Sequence, residues 1–405
     1  RKNRITAAST QIDVKTAKAA LFPSLSFSTS QQVVNRPYQE TSSRVSGSEI
    51  ISSNSKTSYN GNYGLNASWT LYNGNKRLKT IQQKKLNNQV AELDVATSEN
   101  NIQESIAQVY IQILYAAESV KVNESTLQVS IAQRDRGQEL LNAGSIAKSD
   151  FAQLEAQVST DRYQLVTAQA TLEDYKLQLK QLLELDGENE MNIYLPALSD
   201  ENVLAPLPTK KDVYISALSL RPEIEASKLN VEASELGIDI AKSSYFPTIS
   251  LSAGIGTNHT NGSDFTFGEQ VKNGWNNSIG LSVSVPIFNN RQTKSAVQKA
   301  KLQYETSMLS LLDEQKTLYK TIEGLWLDAN SAQQRYAAAN EKLKSTQISY
   351  ELISEQFNLG MKNTIELLTE KNNLLQAQQE QLQAKYMAIL NMQLLKFYQG
   401  DQLAI

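Results

Sequence analysis

Two stretches of this 405-residue chain return at one fixed spacing, and this internal duplication restricts the possible fold more than any other feature. Trp69-Thr70-Leu71-Tyr72-Asn73-Gly74 matches Val285-Pro286-Ile287-Phe288-Asn289-Asn290, 216 residues later. Asn142-Ala143-Gly144 matches Asn358-Leu359-Gly360 at the same spacing. The sequence therefore predicts a fold made of two similar halves.

Each half is predicted to contain a short helix, two strands, one very long helix, a glycine break and a second long helix. The first repeat is predicted over residues 1–205, with strands at about 23–34 and 60–72 and long helices at about 75–143 and 147–186. The second is predicted over 206–405, with a helix at about 209–244, strands at about 247–257 and 275–288, and long helices at about 291–359 and 363–399. Pro196 to Pro208 is the linker, and its prolines are typical of irregular structure.

Four segments alternate between apolar and small polar residues, which is the period of a β-strand. In Ser24–Ser30, Leu25 and Phe27 fall on one face and four serines on the other. The same design recurs at 64–72, 248–255 and 278–287. Any one of these strands could belong to a soluble sheet packed on a core. Their length and their small uncharged second face favour a strand that crosses a bilayer at a tilt.

A sheet that crosses lipid has to close on itself, because every backbone N–H and C=O group needs a partner there. Four strands are too few for a barrel, since about eight is the practical minimum. The sequence therefore predicts that strands are pooled, and three copies of the chain would give twelve. The Ser-, Asn- and Gly-rich stretches from Asn35 to Asn60 and from Asn258 to Asn273 are predicted to be exposed loops.

Two segments without proline are long enough to exceed an ordinary globular domain. From Asn75 to Ala143 the one interior glycine is Gly137, so a helix there could run about 100 Å. The segment from Arg291 to Leu359 is similar, with Gly324 inside it. The helix after each glycine break has apolar residues at heptad spacing, which predicts coiled-coil hairpins. These residues are Leu154, Val158, Leu165, Ala168, Leu172, Tyr175, Leu179 and Leu182, then Leu368, Leu375, Leu382 and Ile389.

Composition argues against several other classes of protein. A net charge of −3 gives no basic surface for nucleic acid, and the absence of cysteine excludes disulfides and thiolate chemistry. No apolar run reaches the length of a transmembrane helix, and the mean hydropathy is −0.40. Arg1-Lys2-Asn3-Arg4 leads straight into a helical pattern, which we interpret as a processed start.

Catalysis and cofactor binding are not expected. His259 is the sole histidine and falls in a predicted loop, so it is expected to be exposed, and no second histidine or cysteine supports a metal site. Asp186, Glu188 and Glu190 cluster, but in a predicted helix-ending turn where water would solvate them. The chain is therefore predicted to have no enzymatic activity, no metal site and no cofactor.

The duplication, the alternating strands and the glycine-hinged hairpins together resemble the TolC-like outer-membrane efflux protein family over essentially the whole chain. This resemblance implies a mixed α and β membrane protein, with a four-stranded share of a trimeric twelve-stranded barrel and a helical tunnel in the periplasm. It further implies a passive duct for efflux or type I secretion. The implied partners are two further copies of the chain, outer-membrane lipid, a periplasmic adaptor protein and an inner-membrane pump of the RND or ABC type.

The resemblance also assigns roles to residues at the two hairpin tips. Adaptor docking is implied for Asn142, Ala143, Gly144, Ser145, Asn358, Leu359, Gly360 and Met361. A closed periplasmic aperture is implied at Ser149, Asp150, Phe357, Lys362 and Glu366. Thr369 stands where a second acid is often found, and Phe357 replaces an aromatic residue with a hydroxyl group. The aperture is therefore expected to be held less firmly than in other members.

Simpler interpretations of these residues stay open. A tight helix reversal needs a residue with positive φ, which alone would explain Gly144 and Gly360. Each charged residue could lie on a solvated helix face. For the whole chain, the alternative is a soluble coiled-coil scaffold or filament protein, which would explain the helices but leave the four strands without a purpose.

Overall fold

The computed structural model describes residues 1–38, 42–46, 49–53, 56–185, 193–196, 203–261, 263 and 265–403, with 42–46 and 49–53 described by their backbone alone. Asp186, Glu188 and Glu190 lie outside these residues. The chain forms two compact units, each assembled from both halves of the sequence. Unit 1 contains Arg1–Val95 and Glu225–Leu312, and unit 2 contains Ala96–Ile224 and Asp313–Ile405. The predicted boundary between residues 205 and 206 stays a prediction.

Unit 1 contains an antiparallel sheet of four strands: β1 (Ser24–Asn35), β4 (Thr57–Asn73), β5 (Thr248–Thr260) and β6 (Asn276–Ser284). The strands lie in the order β1-β4-β5-β6, so the central pair β4 and β5 joins the two halves of the sequence. Ser24 faces Ser68 across the first pair, Trp69 faces Leu251 across the central pair, and Ile249 faces Val283 across the last. The four predicted strands therefore form one sheet.

The two outer strands of this sheet are left almost entirely exposed by the described residues. Leu25 and Phe27 of β1 are 69% and 68% exposed, and all nine residues of β6 are exposed. On the polar face, small side chains bond across the strands: the Ser24 and Ser68 hydroxyls lie 2.8 Å apart, and the Asn66 amide donates to Ser28 over 3.3 Å. In the described residues, the outer edges of β1 and β6 have no strand partner.

The connections around the sheet hold more regular structure than the sequence predicted. The segment expected as an exposed loop from Asn35 to Asn60 contains a second hairpin, β2 (Ser42–Ser46) and β3 (Glu49–Ser53). The segment from Asn258 to Asn273 contains helix α6 (Phe267–Asn273), which begins with a capping box made by Thr266 and Glu269. The last strand ends at Ser284, because Pro286 lacks the N–H group that would extend the ladder.

His259 is not in a loop, so that prediction was wrong. It lies on β5, opposite Gly61 of β4. Its ring stacks on Tyr63 with centroids 5.9 Å apart and meets Phe267 of α6 edge-on at 5.1 Å. A side chain at Gly61 would overlap the ring, since an added Cβ would lie 2.1 Å from it. His259 is therefore a half-buried packing residue.

Polar contacts join two helices of unit 1 to the start of a third. Helix α1 (Lys2–Ala19) lies along the start of α2 (Lys76–Asn142), where Asp13 pairs with Lys84 at 2.8 Å. Helix α5 (Pro222–Lys242) contacts the same segment of α2, where Gln83 donates to the Ala233 carbonyl over 2.8 Å. No residue of α1 is buried, which agrees with its largely polar sequence.

Unit 2 consists of helices, and the long ones occur in two matched hairpins. Helices α2 and α7 (Gln292–Asn358) each have 67 residues, and their partners α3 (Lys148–Leu182) and α8 (Thr364–Gln399) have 35 and 36. These near-equal lengths are what the predicted duplication requires. Helix α8 contributes more buried apolar residues to the two core clusters than any other helix, and they pack with residues of α2, α7 and α4 (Lys210–Leu220). These clusters include Ile111, Leu114, Val213, Ala217, Leu318, Ile322, Ala332, Ile389, Leu390 and Leu395.

The helix predicted over 209–244 is two helices. Arg221 lies between α4 and α5 with φ −75° and ψ 124°, an extended conformation. The following residue is Pro222, and a proline disfavours the helical conformation of the residue before it. Helix α4 ends for this reason, and Pro222 becomes the first residue of α5, where its missing N–H costs nothing.

Candidate functional site

The tips of the two hairpins are built by the same backbone motif. Gly144 and Gly360 both have φ +73°, just after the ends of α2 and α7. In the first tip the N–H of Ser145 donates to the Leu140 carbonyl over 2.8 Å, and in the second the N–H of Met361 donates to the Gln356 carbonyl over 2.8 Å. This is the Schellman motif, which places glycine at the left-handed position. The glycines thus have a complete local explanation.

An acidic residue closes the start of the next helix in each tip, but the two caps differ. In the second tip Asn363 is the N-cap: its side chain accepts from the Glu366 N–H over 2.9 Å, and Glu366 accepts from the Asn363 N–H over 3.2 Å. This is a full capping box. In the first tip the N-cap is Ala147, so the reciprocal side-chain bond is missing, and Asp150 accepts from the Ala147 N–H over 3.3 Å.

Charge at the second tip is paired within the chain. The Lys362 ammonium lies 2.6 Å from the Glu366 carboxylate, one helical turn away. The hydrogen bond from Lys362, followed by that from the Asn363 N–H, holds the pKa of the Glu366 carboxyl below its usual range. Glu366 therefore stays ionised to lower pH than an ordinary glutamate.

The structure brings the two tips together around one cavity of about 360 Å³. The first tip contributes Ser145 and Asp150, and the second contributes Phe357, Gly360, Met361, Lys362 and Glu366. Phe357 is 3% exposed and offers no polar group. The remaining predicted site residues do not line the cavity and are exposed: Asn142, Ala143, Gly144, Ser149, Asn358 and Leu359.

The outer surface of the second tip is more apolar than that of the first. Leu359 and Met361 are 74% and 70% exposed, and Ile365, in the first turn of α8, is 61% exposed. The corresponding surface of the first tip presents Asn142, Ala143 and Ser145. The roles assigned to these residues, docking and closure, stay predictions.

Sequence reasoning missed a buried charged cluster that lies a few helical turns from the tips along α3 and α8. Asp161 of α3, Lys371 of α8 and Ser130 of α2 are 2%, 3% and 2% exposed. The Lys371 ammonium donates to both Asp161 and Ser130, and Ser130 also donates to Asp161. A signal was present, because Asp161 fills the one gap in the heptad series between Val158 and Leu165. A charged residue at such a position faces a partner helix.

A second buried charge was also missed, at the junction of α4 and α5. The Arg221 guanidinium, 6% exposed, pairs with Glu104 at 2.9 Å and with Glu223 at 2.8 Å. It stacks over the Tyr398 ring at 4.1 Å, and burial raises the pKa of the Tyr398 hydroxyl to about 12. This cluster ties α2, the α4–α5 junction and α8 together.

In the described part of the chain, no helix is long and apolar enough to cross a membrane. The same residues contain no group of three or more His, Cys, Asp or Glu side chains that could hold a metal ion.

Comparison with known families identifies the architecture. The profile of the family described as outer membrane efflux protein matches residues 1–184 and 213–400. The chain belongs to the outer membrane efflux protein family. Membership agrees with the predicted fold class, a four-stranded share of a twelve-stranded barrel with long coiled-coil helices and two repeats, and with the predicted outer-membrane location. It favours the channel over the soluble scaffold.

Individual relatives are similar at low identity. The outer membrane efflux protein BepC of Brucella suis is 24% identical over 290 residues, covering 71% of this chain and 60% of that protein. The outer membrane protein TolC of Escherichia coli is 23% identical over 328 residues, covering 78% of this chain and 64% of TolC. This chain therefore spans less than two thirds of the length of either relative.

Solved structures share the fold over nearly all of the chain. CusC matches with a TM-score of 0.83 at 18% identity, covering 99% of this chain and 89% of that one. The CmeC outer membrane channel of Campylobacter jejuni matches with a TM-score of 0.78 at 18% identity, covering 100% of this chain and 83% of CmeC.

Proposed function

We propose that three copies of this chain form a duct through the outer membrane, along which molecules are exported passively from the periplasm. The observation that carries the proposal is the four-stranded sheet of unit 1, whose two outer strands and outer edges are left uncovered by the described residues. Side chains such as Ile279 and Leu281, 79% and 65% exposed, need an apolar neighbour. Lipid meets this need along one face, while the serine-rich face borders water.

Closure of the sheet satisfies the free edges. The outer edge of β1 would pair with the outer edge of β6 in the next copy, so each copy contributes four strands to a ring. Two copies would give eight strands and three would give twelve. The long helices favour three, because a lumen has to stay open between hairpins whose surfaces are polar on several sides.

The helical hairpins are proposed to continue the duct into the periplasm and to end at the tips. Tips of matched length, α2 with α3 and α7 with α8, would form a ring of six in three copies. The tip residues, with Asn142–Ser145 and Asn358–Met361 foremost, are proposed to meet a periplasmic adaptor protein. An inner-membrane pump of the RND or ABC type would supply the energy for transport.

The aperture is proposed to lie where the tips meet, with Asp150, Lys362 and Glu366 setting its charge. The Lys362–Glu366 pair lies within one chain, so an Asp150–Lys362 link would have to form between copies or by exchange of partners. Three Glu366 carboxylates around one axis would favour cations in the lumen. Replacing Lys362 or Asp150 with Ala should raise single-channel conductance in planar bilayers, and unchanged conductance would remove the assignment.

Disulfide trapping tests the pairing of edges, and the chain has no cysteine to interfere. Each variant carries one cysteine in β1, at Ser26, and one in β6, at Ser278, Ser282 or Ser284. These variants test which register on the polar face brings β1 of one copy beside β6 of the next. Oxidised membranes should yield covalent dimers and trimers for one of these combinations, since the bond forms at a Cα separation of about 4.4–6.8 Å.

The matched control is Ser24→Cys with Ser68→Cys, which face each other in one chain and should give a cross-linked monomer. If every β1–β6 combination gives monomers alone while the control oxidises fully, the shared barrel is wrong.

A further inference from the structure

The buried cluster above the tips joins helices of both hairpins. Lys371 comes from α8 of the second hairpin, while Asp161 and Ser130 come from α3 and α2 of the first. The remaining carboxylate oxygen of Asp161 accepts from the Gln157 side-chain amide over 2.9 Å, and the same amide donates to the side-chain Oδ1 of Asn372 over 3.4 Å. Both oxygens of Asp161 therefore have partners, and the cluster is a connected polar network within a packed helix interface.

Stability alone does not account for such a network. Charges lose their hydration when they are buried, and an apolar set of similar volume often gives equal or greater stability. Burial lowers the pKa of the Lys371 ammonium, and the Asp161 carboxylate opposes this effect. An ion pair adds specificity that apolar contacts lack, because it fixes one register between the helices that carry it.

The cluster stands at a short distance from the tips. Asp161 follows Asp150 by 11 residues and Lys371 follows Glu366 by five, which corresponds to about 16 Å and 8 Å along straight helices. The intervening segments are continuous α-helix in α3 and α8. A displacement of one tip against the other would therefore be transmitted to the cluster, and would have to separate a buried lysine from its carboxylate.

We propose that Asp161, Lys371 and Ser130 form a latch that holds the two hairpins of one chain in a single register and so sets the resting width of the aperture. This inference rests on the duct function proposed above. The latch residues are positioning residues, since they lie in a closed interface and act through the tips. Movement of the hairpins past each other would leave Asp161 and Lys371 buried without partners, which penalises intermediate positions and favours two discrete states.

Single alanine variants and an apolar double variant distinguish the register specificity of the ion pair from its contribution to packing. Lys371→Ala and Asp161→Ala each leave one charge unpaired, and both should lower the melting temperature and raise the ratio of open to closed dwell times by about fivefold or more, as a coupling energy of ordinary size would give. Asp161→Leu combined with Lys371→Met refills the space without charge. This double variant should recover the melting temperature of the unmodified protein but keep the raised ratio.

The matched control is a Lys–Glu pair within the second hairpin. Lys342 and Glu380 lie 2.7 Å apart, and each is 41% exposed. Lys342→Ala should leave the dwell times unchanged, because the pair is solvated and joins α7 to α8 of the same hairpin. If the double variant shows dwell times like those of the unmodified protein, the latch is refuted and the cluster is a packing feature.

A second measurement judges the latch even if no channel activity is found. Hydrogen exchange of the full chain in detergent reports on amides 140–147 and 357–364, which form the tips. Exchange should become faster in the Leu/Met double variant and stay unchanged in Lys342→Ala. Absence of conductance in the unmodified protein would defeat the proposed duct, whereas unchanged tip exchange in the double variant would defeat the latch.

Discussion

The two glycines inside the long helices should respond in opposite directions to the same substitution. Gly137 of α2 is buried against α3, and an added Cβ would lie 2.3 Å from Cδ1 of Leu154, a side chain that is 1% exposed. Gly324 of α7 has no atom within 4 Å of the corresponding position. Alanine at either site gains about 1 kcal/mol of helix propensity.

The magnitudes follow from these surroundings. At Gly324 the propensity gain stands alone, so Gly324→Ala should stabilise the protein by about 1 kcal/mol. At Gly137 the extra methyl group overpacks the interface at a cost of about 1–3 kcal/mol, because Leu154 has no solvent to move into. Gly137→Ala should therefore be neutral to destabilising by about 2 kcal/mol, which is the overpacking cost less the propensity gain.

Denaturant unfolding in detergent, followed by circular dichroism, measures both variants. A double-mutant cycle with Leu154→Ala adds a sharper test, since removal of the Leu154 side chain should abolish the clash and give a favourable coupling of about 0.5–3 kcal/mol. The reasoning fails if Gly137→Ala stabilises the protein as much as Gly324→Ala does, or if the cycle shows no coupling.

Three further outcomes are expected. Arg221→Lys should destabilise by about 1–3 kcal/mol in thermal melts, because lysine lacks the planar fork with which Arg221 bonds to Glu104 and Glu223. A change under about 0.5 kcal/mol, like that of an exposed pair, would contradict the buried cluster. Asn363→Ala should lower the free energy of unfolding by about 1 kcal/mol, and Ala147→Ser should raise it by a similar amount, since only the second tip has a side-chain cap. Hydrogen exchange at the tip amides should become faster in the first variant and slower in the second, and a change of the same sign in both would contradict the two caps. The Glu366 carboxyl has a lowered pKa, so it is ionised at any pH above the usual carboxyl range. It loses its charge and its capping bond as the pH falls through the lowered pKa. Reversal potentials across a salt gradient should therefore lose cation preference at a higher pH in Lys362→Ala than in the unmodified protein, and identical pH profiles would contradict the pairing.

Regular periodicity explains which parts of the fold the sequence could predict. The strand from Ser24 alternates strictly, and the segments on either side of Gly144 and Gly360 keep helical or heptad spacing over many turns. Because of the duplication, each element is predicted from two copies of its pattern. Long, periodic and repeated segments leave few alternative folds.

The wrong predictions for α6, His259 and the helix over 209–244 share a physical cause. In each place a cap, a tertiary contact or a proline outweighs the local sequence pattern. Helix α6 is only seven residues long and depends on its capping box, so a polar composition concealed it. His259 looked exposed because its neighbours are Asn and Thr, whereas Phe267 covers it from α6. The helix break at Arg221 was visible in Pro222 and was underestimated.

The charged cluster shows a different limit. Asp161 and Lys371 are far apart in sequence, and only the packing of α3 on α8 brings them together. The missing apolar residue in the heptad series indicated that position 161 was unusual, but the identity of its partner required the structure. Seven of the thirteen predicted tip residues line one cavity, while the roles of all thirteen involve other copies of the chain and partner proteins.

The mass of the detergent-extracted protein, measured by light scattering and corrected for bound detergent, tests the shared duct most directly. The account predicts a value near three times the 45.0 kDa chain. A monomer or dimer that stays in solution without detergent would contradict it, and would restore the coiled-coil scaffold as the better explanation.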